Sequence, residues 1–282
     1  MGETSAIGGV SVNETLVPVG SALLIGFLFA VLFTGYALYF CRGWVERGVW
    51  SPRWLVVVSG LANFLAIFVW LRLLEGSSVF SAMAFGAFVQ YAVLASASDA
   101  RSWLIAKEIT WPPVLVGFGS LIYFSYSIVQ GVVPQTVAGG VVFAVVVLVA
   151  AVAGWFFYGT AGLFTAPLGV WAGFLFLQAG LLGGLLLLFM AALFSVRSGF
   201  GMGFGDVRMA GVAAATLWIV PVDFVLLGLV LFVVSTIIWA SVDARKGVEG
   251  KSWLHRKVPL APTFCLSMVA GASFFAFVAG AS

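Results

Sequence analysis

Repeated apolar runs of roughly 20 residues constrain this chain more than any other feature, because each is long enough to cross a bilayer. They fall at Leu16–Cys41, Trp54–Leu74, Phe80–Ala97, Pro112–Val129, Val137–Tyr158, Leu168–Val196, Val207–Val220, Phe224–Val242 and Pro262–Ala279. Lipid offers no partner to a backbone N–H or C=O, so these runs are expected to fold as helices. Composition agrees: 63% of residues are hydrophobic and 8% charged, where a soluble domain carries roughly a quarter charged residues. The expected fold class is therefore all-α, a polytopic membrane helix bundle of about 8–10 transmembrane segments. The 34 glycines suit close helix–helix approach in lipid.

Several function classes drop out at this point. The net charge of +3 is spread over short loops and forms no basic domain, so nucleic-acid binding is not expected. Cys41 and Cys265 are far apart and form no CxxC pair, which argues against a zinc ribbon or a disulfide framework. The single histidine, His255, sits among Arg256 and Lys257 as a solvated or headgroup-facing side chain, and no metal site or cofactor is implied. Glu3 and Glu14 stand where a signal peptide would be basic, and the apolar run that follows is too long for one. Asn13-Glu14-Thr15 matches a glycosylation sequon, relevant only if this end lies outside.

Basic loops orient the chain. Arg42, Arg47 and Arg53 share one loop, Arg101 and Lys107 another, and Arg245 to Lys257 a third; Arg197 and Arg208 flank a glycine run. Only Arg72 among the thirteen basic residues falls on the other side, next to Glu75. The positive-inside rule makes the shared side cytoplasmic and the N-terminus external, in a cell (plasma) membrane. Three apolar segments between Pro112 and Val196 would then place Asp99 and Asp206 on opposite faces. A break near Gln178-Ala179-Gly180, splitting the long segment in two, or a re-entrant segment restores one face.

Two carboxylates stand out against this apolar background. Asp99 ends one apolar helix, and Asp206 ends the run Gly201-Met202-Gly203-Phe204-Gly205-Asp206. Ionisable groups at membrane depth are costly and mark functional sites by default. Two carboxyls a few ångströms apart cannot easily both ionise, so such a pair shares a proton. One member can then activate water while the other polarises a carbonyl. Gly203 and Gly205 remove side chains beside Asp206, which lets an extended backbone come close.

Around the first carboxylate, Arg101, Ile105, Thr110 and Pro112 fall two, six, eleven and thirteen residues after Asp99. Gly203-Phe204-Gly205-Asp206-Val207-Arg208-Met209 forms a second motif, and Lys257-Val258-Pro259-Leu260-Ala261-Pro262 opens the last helix. Together, in this order, they resemble the type IV prepilin peptidases, including the archaeal preflagellin peptidases, which are GxGD intramembrane aspartic proteases. Ala106 and Lys107 depart from the family's Pro-Asn. The resemblance spans roughly residues 85–280, leaving the first two helices outside it.

The resemblance implies an aspartic endopeptidase with Asp99 and Asp206 catalytic, supported by Gly203, Gly205, Arg101 and Arg208. It implies substrates too: type IV pilin-like or archaellin-like precursors, cut behind a basic leader at the cytoplasmic membrane face. No domain with paired CxxC motifs is present, so the methyltransferase activity of some bacterial members is not expected. Glu108 or Glu46 is a candidate acceptor for the leader's Lys or Arg, with pairing to Lys107 or Arg47 as the alternative; Arg101 and Arg208 would also suit anionic lipid. The chain divides into an N-terminal tail with two extra helices, 1–78, and a catalytic membrane domain, 79–282. Two other readings stay open. A presenilin or signal-peptide-peptidase type of protease would want Tyr-Asp at the first site, where Ser98 stands. A non-enzymatic transporter would use the aspartates for ion relay.

Overall fold

The computed structural model describes residues 19–74, 79–127, 204–217, 220–245 and 260–281, with isolated positions 145, 148, 149 and 152. These residues are helical apart from their connecting turns, with no strand among them. In chain order the helices are α1 (Val19–Glu46), α2 (Arg53–Leu73), α3 (Val79–Ser102), α4 (Trp111–Ser127), α5 (Phe204–Thr216), α6 (Val222–Arg245) and α7 (Leu260–Ala281). A single 3₁₀ turn, Lys107–Thr110, precedes α4. Spans Leu23–Glu46, Arg53–Leu73, Val79–Ser102 and Leu260–Gly280 are each long and apolar enough to cross a membrane. The fold is an all-α membrane helix bundle. The count of crossings between α4 and α5, with the break expected near Gln178, lies outside the described residues.

Helix ends follow local chemistry. Pro112 and Pro113 sit in the first turn of α4, where a missing N–H costs nothing because no intrahelical acceptor faces it. Two expected boundaries move. The third apolar window stops at Ala97, but α3 continues to Ser102, so Asp99 lies inside its last turn. α5 starts at Phe204 rather than Val207, which puts the backbone of Asp206 in a helical first turn.

α3 is the central helix: 67% of its apolar window is buried, against 22% for α1, and it packs on α2, α4, α5 and α7. Leu32, Tyr39, Leu61, Leu266 and Phe277 point outward, as lipid-facing side chains should. Lipid tails are as apolar as leucine, so helices associate through close packing and hydrogen bonds instead. Both are visible here. Buried Asn63 of α2 donates from Nδ2 to Oε1 of Gln90 on α3 at 2.7 Å. A Cβ at Gly117 would meet the backbone carbonyl of Ala215, and one at Gly271 the carbonyl of Phe224, so α4–α5 and α6–α7 touch backbone to backbone.

Helix directions follow from paired contacts. Phe224, near the start of α6, meets Phe274 and Phe275 near the end of α7, with ring centres 5.9 and 5.3 Å apart. Ser235 and Ser267, further along α6 and earlier in α7, are 3.4 Å apart. The two helices are therefore antiparallel, and α6 begins at the end remote from Leu260. α5 leads into it through a tight turn, closed by Val220 N–H to Leu217 O and Phe224 N–H to Pro221 O. The last turn of α5 thus lies at the remote end, and its first turn points back toward the level of Leu260.

Gly271→Ala is expected to destabilise the detergent-solubilised protein by about 1–3 kcal/mol, since backbone cannot yield to the added methyl. Gly119→Ala, which meets nothing within 4 Å, should leave stability unchanged or raise it slightly. Thermal melts of the two variants check this; equal melting would remove the close-approach argument.

Candidate functional site

The last turn of α3 supplies the first carboxylate. Trp103, with φ of +59°, closes that turn in the left-handed conformation and donates its N–H to the Asp99 carbonyl at 3.0 Å. A left-handed residue after the final helical position caps a helix end and is usually glycine; a tryptophan there stores strain of about 1–3 kcal/mol. The cap stops α3 abruptly and leaves Asp99 half-buried at the end of the bundle.

Asp99 then reaches across to α7. Its Oδ2 accepts the Ala261 N–H at 3.0 Å, while Ser96 Oγ, one turn earlier, donates to the Ala261 carbonyl at 3.3 Å. The first N–H groups of any helix lack intrahelical acceptors, and its start is electropositive. An aspartate from a neighbouring helix satisfies both needs. The two sequence motifs that meet here lie 162 residues apart.

α5 brings the second motif toward the same end. It packs against α3, α4, α7 and the 3₁₀ turn, with Met209 fully buried. Its first turn carries the backbone of Gly205, Asp206 and Arg208. Gly203, the side chains of residues 204–208 and the loop holding Lys251, His255 and Lys257 lie outside the described residues.

The remaining site candidates separate. Arg101 is exposed on the last turn of α3. Glu108 turns inward: Arg47 Nη1 approaches its Oε1 at 3.0 Å, and Trp44 Nε1 donates to its Oε2 at 3.0 Å. The structure thus pairs Glu108 with Arg47, the basic residue expected beside Glu46, rather than with its neighbour Lys107. Partial burial opposes ionisation of this carboxyl, but the hydrogen bond and charge of Arg47, helped by Trp44, outweigh it and hold the group below its ordinary value of 4.5. Glu46 pairs with Arg42 at 3.3 Å, with both side chains well exposed, an i,i+4 contact of little energetic weight. Sequence reasoning missed Trp44, Trp50, Ser96 and Trp103. No short-range pattern distinguishes them, since each acts through a partner distant in sequence or through a backbone angle.

Beside Ala261 an apolar groove of about 510 Å³ runs between α6 and α7, lined by Ser235, Trp239, Val242, Pro262, Thr263 and Leu266. No group of three or more His, Cys, Asp or Glu side chains suited to a metal occurs among the described residues. No protein-family model matches the chain, and comparisons with curated proteins and with solved structures find no match either.

Two outcomes follow from this geometry. Ala261→Pro deletes the N–H that Asp99 accepts while leaving a proline-tolerant first turn. It should cost about 1–3 kcal/mol in a detergent melt, and much less in an Asp99→Ala background; equal costs in both would show that the bond does not hold α3 to α7. The second concerns pH. A lowered folded-state carboxyl contributes stability above its unfolded value and loses it as pH falls through the folded one. The stability gap between wild type and Glu108→Gln should thus be full at neutral pH and close below the ordinary 4.5. Melts across a pH series read this directly, and a gap that persisted in acid would refute it.

Proposed function

We propose that this chain is an intramembrane aspartic endopeptidase that removes the leader from pilin-like or archaellin-like precursors at the cytoplasmic membrane face. The observation that carries the reading is convergence at one end of the bundle. Asp99 accepts a hydrogen bond from the segment opening α7, the third of the matching motifs. α5, whose first turn includes Asp206, packs on the same central helix and runs back toward that end. In this reading Asp99 and Asp206 hold one proton between them. The ionised member takes a proton from water as the oxygen attacks the scissile carbonyl, and the protonated member donates to the carbonyl oxygen. Collapse returns a proton to the leaving amine, so the pair ends the cycle as it began.

The basic residues support the cytoplasmic assignment. Arg47, Arg53, Arg101 and Lys107 flank helix ends on the side of Asp99, whereas Arg72 ends α2 at the opposite side. A precursor with an apolar helix and a basic leader would present its junction at that level.

Purified protein in liposomes should cleave a prepilin-like peptide, and Asp99→Asn or Asp206→Asn should each abolish cleavage with folding retained. An amide accepts hydrogen bonds but cannot carry the shared proton. Near-normal cleavage by either variant would remove that residue from catalysis. Absence of cleavage by wild type, combined with ion flux that survives one Asn substitution, would favour the transporter reading instead.

A further inference from the structure

We propose that the C-terminal end of α1, with the turn that follows it, is a positioning clamp for the loop after Asp99, with Arg47 and Glu108 as its central pair. The catalytic half of the inference rests on the endopeptidase reading; the structural half does not. α1 lies outside the stretch that resembles known peptidases, yet it grips that loop at both ends.

At the far end of the loop, Glu108 receives Arg47 and Trp44 on separate carboxylate oxygens, each at 3.0 Å, and its carbonyl accepts Tyr36 OH at 3.3 Å. Three residues of the α1 region thus converge on one residue of the 3₁₀ turn. Arg47 is itself steadied by its Nε donating to the Gly43 carbonyl at 3.0 Å, and Trp44 is almost fully buried. At the near end, Trp50 N–H donates to Ser102 Oγ at 3.2 Å, and that hydroxyl donates to the Ser98 carbonyl at 2.7 Å. Ser98 immediately precedes Asp99.

Between these anchors run Trp103 to Ala106, with Trp103 and Leu104 each 47% exposed and Trp103 in a strained conformation. A segment with few internal hydrogen bonds and a strained residue keeps one shape only when its ends are fixed. The polar character of the anchors points to placement rather than bulk stability. A half-exposed ion pair adds little net stability, but a planar guanidinium meeting a carboxylate fixes direction as well as distance. The clamp sets where α3 stops, and hence where Asp99 stands relative to α5 and α7.

The test uses the full chain with Cys41 and Cys265 replaced by alanine and a spin label on a single cysteine at position 104. Arg47→Ala and Glu108→Gln should each raise label mobility. Each should lower kcat on the prepilin-like peptide about five- to tenfold, within the range of one hydrogen bond's net contribution, with KM nearly constant. The double variant should be no worse than either single, and Arg47→Lys, which keeps the charge but loses the planar geometry, should fall between wild type and Arg47→Ala. Unchanged mobility in both single variants, effects that multiply in the double, or a loss confined to KM would overturn the clamp. Melting curves of the same variants identify any loss that comes from unfolding. If mobility responds as expected while wild type cleaves nothing, the clamp stands and the endopeptidase reading falls.

Discussion

One hydrogen bond ties the end of the central helix to the start of the last: the N–H of Ala261 given to the carboxylate of Asp99. Every helix leaves N–H groups open at its start, and near a membrane those groups must find acceptors in the protein or at the headgroup layer. α7 finds one on α3. The contact stitches together helices that are adjacent in space but distant in sequence. If Asp99 also carries the proposed shared proton, an amide at position 99 is a clean probe. Its carbonyl oxygen can still accept from Ala261, so the helix contact survives while the exchangeable proton is lost.

Backbone proximity is the second requirement, and small residues meet it. Gly117 against Ala215 draws α5 onto α4, and Gly271 against Phe224 draws α6 onto α7. Neither pair touches a candidate catalytic group. The first fixes the lateral position of α5, whose first turn includes Asp206, and the second that of α7, whose start donates to Asp99. In a lipid environment this spacing cannot be enforced by burying apolar area, because the lipid competes equally for it. Backbone contact, interhelical pairs such as Asn63–Gln90, and capped ends do that work instead.

Much of this was legible from residues alone. Apolar windows located the seven described helices to within about five positions, because a run of that length has one structural solution in lipid, while Val137–Tyr158 and Leu168–Val196 lie outside the described residues. The carboxylates and the segment opening the last helix stood out as candidates because charge and proline are rare in such runs and their spacing carried a resemblance. What could not be read was how those pieces meet. Asp99 touches Ala261 across 162 residues, and no periodicity encodes such a distance. The ends of α3 and α5 were misjudged for a physical reason. Hydropathy falls at Ser98-Asp99-Ala100-Arg101 and at Gly205-Asp206, but backbone hydrogen bonding carries both helices through these polar residues. Glu108 showed a related ambiguity. Sequence offered it a substrate partner or the adjacent Lys107, and the pairing with Arg47 depended on where the turn after α1 comes to rest.

That turn bears on why α1 stays with the bundle at all. Most of its surface faces lipid, with Phe27, Leu28, Val31, Leu32 and Tyr39 exposed, and an apolar face gains nothing from leaving one hydrocarbon surface for another. Its attachment must come from specific contacts. Some are close-packed, as where Thr34 fills the space over Gly60 and Ile67 lies against Gly26. The polar ones gather at its last turns, where Tyr36, Trp44 and Arg47 reach Glu108 and Cys41 donates to the Ser51 carbonyl. A helix held loosely along its length and firmly at one end transmits little to its neighbours along the membrane normal. It does fix what that end touches, and here that is the loop leaving Asp99.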